Sequence, residues 1–123
     1  MSVIVVKNKK IMSQLGDFSP GVVASEAITF PKSEEMCIGY YKMEPGAELK
    51  VDDPIPFEEF DYMIEGSATI SDETGSKYTA EKGDIFCLRK GSRITITTEG
   101  GYEGIFIIYP YNWAELVERA KQK

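Results

Sequence analysis

Histidine is absent from the 123 residues, and that absence excludes more chemistry than any residue present. Without imidazole there is no Ser-His-Asp triad, no Cys-His nucleophile and no histidine-held zinc or iron. Cysteine is nearly absent too. Cys37 and Cys87 stand far apart, too few for a disulfide framework and not in a CxxC pair. Both fall in apolar, strand-like runs and read as two buried thiols in a reducing cytoplasm. No run approaches the ~20 apolar residues of a membrane-spanning helix. "MSVIVVKNKK" places its lysines after a short apolar stretch, which is the wrong order for a signal peptide. Positive charge is in deficit: 14 Lys and Arg against 20 Asp and Glu leave a net charge of −6. Such a surface repels phosphate, so neither nucleic acid nor membrane is an expected partner.

What is present is a chain long enough for one core, read as a single domain over 1–123. Short β-prone runs follow one another between turn signals: 2–6, 21–30, 36–44, 47–51, 57–65, 67–70, 77–80, 85–89, 93–98 and 102–110. Pro31, Pro45-Gly46, Gly66, "SDETGS", "EKGD", "KGS" and "EGG" punctuate them. This spacing predicts an all-β sandwich or barrel. Residues 1–20 read as an N-terminal arm or strand. At the other end, 112–123 reads as a short α-helix. Asn112 is its candidate N-cap, and Glu115 stands three residues on. Trp113, Leu116, Val117 and Ala120 share one face, and Arg119, Lys121 and Lys123 lie where the helix dipole favours cations. Trp113 is expected to anchor this helix, and Met36, Met43 and Met63 to sit in the core.

Two stretches carry a family resemblance. "GAELKVDDPIPFEEFDYMIEG" (46–66) is similar to the first cupin motif at Gly46, Glu59 and Gly66. "GDIFCLRKG" (83–91) is similar to the second at Gly83, Asp84 and Gly91, with Arg89 where proline is usual. The resemblance implies a double-stranded β-helix, the jelly-roll barrel. The three metal-binding histidines of most cupins would fall at Asp53 and Ile55 (or Asp52 and Pro54) and at Ile94, so the usual metal centre is not expected. A narrower resemblance is to the ethanolamine-utilisation EutQ-type cupins. It rests on Glu59, Asp61 and Gly66, on "GDIFCLRKGSRI", and on Pro110, Tyr111, Asn112 and Trp113. It implies a cytoplasmic bacterial homodimer that serves microcompartments processing ethanolamine. It also implies an acetate kinase-like activity, for which Mg²⁺ and ATP would be cofactors.

The acids can be read directly. Alternate strand residues share a face, so Glu59 and Asp61 lie roughly 6–7 Å apart on the side of Phe57 and Met63. Glu58, Phe60, Tyr62 and Ile64 take the other side. Two carboxylates in an apolar barrel cannot both ionise comfortably. Either one pKa rises or a cation sits between them. The pair could supply a general base, bind a small amine, or hold Mg²⁺ or Ca²⁺. The blander alternative is a structural pair tied to Arg89, Arg93 or Lys42. Tyr40 or Tyr41, with Arg89, is expected to contact a ligand, although no phosphate-binding glycine loop is present. Two functions follow. One is a phosphotransferase built on Glu59 and Asp61. The other is a non-catalytic small-ligand or scaffold dimer, its β-prone "SVIVV" strand needing a partner.

Overall fold

The computed structural model describes residues 3–29, 36–110 and 113–121. A short helix α1 (Asn8–Ser13) precedes nine antiparallel strands. These are β1 (Gly16–Ser19), β2 (Val22–Thr29), β3 (Cys37–Met43), β4 (Glu48–Val51), β5 (Glu58–Asp72), β6 (Lys77–Glu81), β7 (Ile85–Leu88), β8 (Ile94–Thr97) and β9 (Tyr102–Tyr109). Helix α2 (Trp113–Lys121) ends the described chain. The strand order β1-β2-β3-β9-β5-β8-β4, with β6 and β7 also paired to β5, wraps into a nearly closed barrel. It is a nearly closed all-β barrel with a short C-terminal helix, as the sequence predicts.

β5 is the spine. Its first half is paired with β9 on one side and β7 on the other, and its second half with β6 and β8. The sequence reading ends this strand at Gly66 and begins another at Ser67. Instead Gly66 is a corner within one 15-residue strand. Its φ is +86°, and a Cβ there would lie 2.2 Å from the Gly101 carbonyl oxygen. A register shift between Met63 and Glu65 adds to the bend. Corner and bulge together turn the strand from one sheet into the other.

Other expectations are corrected here. Residues 3–6 of the predicted strand 2–6 form none, and Val3 and Val5 are more than 70% exposed, at 73% and 71%. The arm instead carries α1, and β1 pairs with β2. Cys37 is buried as read, but Cys87 is exposed because Ile85 and Cys87 face outward from β7 while Leu88 faces in. Asn112, Tyr111 and the side chain of Trp113 lie outside the described residues, as does the N-cap proposed on Asn112. Leu116 packs against the core as its helical spacing predicts.

The core lies between the sheet faces. β9 shows the alternation best, burying Tyr102, Gly104, Phe106 and Ile108. Tyr41, Met43, Phe57, Met63 and Ile96 meet them from neighbouring strands. Gly104 pairs with Tyr41, whose ring lies over it so closely that a Cβ would stand 2.9 Å from a ring carbon. That bare backbone is the seat that lets the large ring lie flat inside the barrel.

Candidate functional site

A cavity of about 290 Å³ opens at one end of the barrel. Its walls are mostly apolar: Phe18, Val22, Leu49, Ile55, Ile94 and Phe106 belong to them, and Leu116 and Ala120 of α2 lie across it. Glu59 stands in the wall, with Tyr41 beside it. Glu48, Lys50 and Arg119 are its other charged lining residues. Arg119 donates to the carbonyl oxygens of Asp53 (3.3 Å) and Pro54 (3.1 Å), which ties α2 to the loop before β5.

Asp61, only 1% exposed, does not line the cavity. Neither of its carboxylate oxygens makes a well-formed hydrogen bond, and neither do the hydroxyls of Tyr41 and Tyr102, although Glu59 and the Tyr41 hydroxyl stand close enough to act on the Asp61 carboxyl, and Tyr102 on Tyr41. The two tyrosine rings meet edge to face at 5.3 Å. Burial pushes the Asp61 carboxyl well above the ordinary carboxylate range. The negative charge of Glu59 adds to the rise, and the Tyr41 hydroxyl opposes it. Burial raises Glu59 as well, with Asp61 opposing. The phenols of Tyr41 and Tyr102 are raised, again chiefly by burial. Burial, then the charges of Glu26 and Glu59, push the Cys37 thiol up to about 12. These shifts favour the protonated form of the acid pair over the ionised one.

The structure separates the residues that the sequence groups together. Tyr41 faces the cavity. Tyr40 faces the opposite side of β3, where its hydroxyl donates to Glu103. Arg89 is not in the cavity. It lies outside the barrel, where its Nε and Nη2 donate to Glu58 at 2.9 and 3.3 Å. The backbone N–H of Lys90 donates to the same carboxylate at 3.0 Å. Arg93 Nε donates to the Asp52 carbonyl oxygen at 2.9 Å, and Lys42 is exposed on β3. Among the described residues no Lys or Arg forms an ion pair with Glu59 or Asp61. Tyr102 is the site residue that sequence reasoning undervalues. Its signal was the period-2 burial of β9, which sets Tyr102 on the same face as Phe106.

The usual cupin metal centre does not fit these residues. Ile55 and Ile94, at two of the expected ligand positions, are buried in the cavity wall with no donor atom to offer. Asp52 and Asp53 are exposed. Among the described residues no group of three or more His, Cys, Asp and Glu side chains is placed to hold a metal ion.

The small antiparallel barrel has the cupin fold. The chain superposes on an RmlC-like cupin from Shewanella frigidimarina with a TM-score of 0.76 at 15% identity, over 92% of this chain and 96% of that one. Within the class the sequence is more particular. Residues 1–115 match the family of ethanolamine utilisation protein EutQ, and the chain belongs to that family. It is 28% identical over 99 residues to "Acetate kinase EutQ" of Clostridioides difficile strain 630, covering 80% of this chain and 60% of that protein's length. The structure of a Clostridium difficile EutQ protein shares its fold, with a TM-score of 0.65 at 24% identity over 89% of this chain and 83% of that chain.

Proposed function

We propose that this chain acts in bacterial ethanolamine utilisation by binding a small ligand in its apolar cavity, with a hydrogen-bond donor of that ligand set against Glu59 and Asp61. The observation that carries this reading is Asp61, fully buried, with no well-formed hydrogen bond to either oxygen and, among the described residues, no ion pair to a basic side chain. A buried acid in that state is costly unless it keeps a proton or gains a donor. A primary amine supplies both charge and N–H groups. The volume of about 290 Å³ lies at the lower edge of ligand pockets, which suits a short-chain compound.

The direct measurement is the thermal unfolding of the whole chain with short primary amines, short carboxylates and divalent cations. Amines should raise Tm in the native chain and leave Asp61→Asn unmoved. A flat response to every probe would leave a scaffold role.

A second reading is an acetate kinase-like phosphotransfer at the same pair, with Mg²⁺ and ATP. It is supported by the name of the Clostridioides difficile relative, of which this chain spans 60%. Here Glu59 and Asp61 would offer carboxylate oxygens to Mg²⁺, and Lys50 and Arg119 are the cations of the cavity lining that could meet phosphate. Turnover of acetate and ATP with Mg²⁺ should then fall by at least tenfold in Glu59→Gln and in Asp61→Asn. Turnover that is absent, or untouched by both substitutions, excludes this reading. The setting proposed for either activity is the cytoplasm, in association with microcompartment components. Among the described residues no helix is long and apolar enough to cross a membrane.

A further inference from the structure

Polarity inside the cavity is confined to one point. β4 alternates: Glu48 and Lys50 are exposed, while Leu49 and Val51 pack against the core. The two charges therefore lie at the rim, and the Lys50 side chain is 61% exposed. Arg119 is at the rim as well, its Nη2 donating to the carbonyl oxygens of exposed Asp53 and Pro54. Tyr41 and Ser19 line the space, yet their hydroxyls are buried out of its reach, and so are both oxygens of Asp61. Tyr41 thus presents its ring to the cavity. Among the described residues, Glu59 is left as the polar side chain of the inner wall. Around it stand Val22, Leu88 and Phe106 from one sheet and Leu49, Ile94 and Ile96 from the other.

We infer that the ligand of this cavity is an aliphatic chain of about four to six carbons with a single polar head, a hydrogen-bond donor that meets Glu59. This rests on the cavity being the ligand site proposed above, and it excludes ethanolamine as the compound held there. Room is the first reason. A dry apolar cavity of about 150 Å³ accepts benzene, so a volume of about 290 Å³ holds a six-carbon chain together with its head. The second reason is the wall, where hydrocarbon from both sheets takes each methylene of a ligand out of water. The third is the lack of a second polar partner. Ethanolamine carries a hydroxyl two carbons from its nitrogen. With the nitrogen on Glu59, that hydroxyl faces the side chains of the apolar wall and goes unpaired, which lowers affinity. n-Propylamine has the same size and puts a methyl group in the same place. A nucleotide, polar along its whole length, meets the same objection and is too large.

Titration calorimetry of the whole chain with two matched series tests this: n-alkylamines and n-alkanols, each from two to six carbons, with ethanolamine alongside. Kd should fall roughly fourfold for each added methylene, the factor that corresponds to about 0.8 kcal/mol per buried CH₂. The heat-capacity change should be negative and should grow with chain length. Ethanolamine should bind at least tenfold more weakly than n-propylamine. Two substitutions at partly exposed wall positions locate the site. Leu49→Asn should flatten the methylene increment. Ala120→Leu, which adds volume from α2, should end the increment at a shorter chain, and it guards against one variant failing to fold. A methylene increment in the alkanols with no binding of amines supports the apolar-chain ligand and removes the amine reading of the acid pair. Amines that bind with no increment, or ethanolamine equal to n-propylamine, overturn the inference and leave the amine reading standing. An increment untouched by both substitutions overturns it too, since the chain is then held elsewhere. If neither series binds, both fall.

Discussion

Asp61 sets the pH behaviour of this protein. Its carboxyl, with that of Glu59, holds a proton more tightly in the folded chain than in the unfolded one, where ordinary values near 4 apply. Between those limits the folded state binds more protons, so stability falls as pH rises from the ordinary carboxylate range through the raised values. Each tenfold in proton affinity is worth about 1.4 kcal/mol. Thermal unfolding followed upward from the ordinary carboxylate range, near pH 4, should therefore show Tm declining in the native chain. The decline should flatten in Asp61→Asn, which cannot ionise. A native Tm that climbs over this range would mean that the pair is ionised and partnered. Glu58 and Asp72 have lowered pKa values from their hydrogen bonds and contribute with the opposite sign, but below this window.

At the scale of elements, the corner in β5 is the place to test the barrel. Gly66→Ala combines a left-handed φ with a Cβ driven onto the Gly101 carbonyl. Strain and overpacking together should cost about 2–4 kcal/mol, read as a lower urea midpoint with unchanged m-value. The same strand shows what was legible in the sequence. The alternation from Phe57 to Met63 put Glu59 and Asp61 on one face, because a half-buried strand writes its faces into every second residue, and the cupin resemblance at Glu59 turned that face inward. That parity also puts Glu58 outside, and with it Arg89, one step beyond inward-facing Leu88. Position in the second motif suggested a ligand contact, whereas strand parity pointed away from the cavity. Choosing between Tyr40 and Tyr41 was harder. Both are large and amphipathic, and the deciding fact is the bare backbone of Gly104, 63 residues beyond Tyr41 in the chain and its partner across the sheet. Helix α1 was not legible at all. It is six residues long, has no side-chain cap at Lys7, and buries nothing, so the local sequence lacks both the capping and the amphipathic pattern that announce a helix.

At the scale of the whole molecule, the fold was readable because glycine turns and two spaced motifs recur along the chain, and barrel closure follows from them. The cavity contents were less so. Phe18 of β1, Ile55 of the loop before β5, and Leu116 of α2 reach one space from three distant parts of the sequence. Their convergence is a property of the closed barrel and of no single segment.

The alternation of β5 also governs how this chain can go wrong. Inside the barrel it sets Glu59 and Asp61; on the outer face it sets Phe60 and Tyr62. A slip of one residue against β9 would exchange the two sets, sending aromatic rings into the cavity and carboxylates onto the apolar face. The misregistered barrel would lose its interior acids. The bulge after Met63 and the fixed corner at Gly66 forbid that slip, so the residues that bend the strand also act as its proofreading.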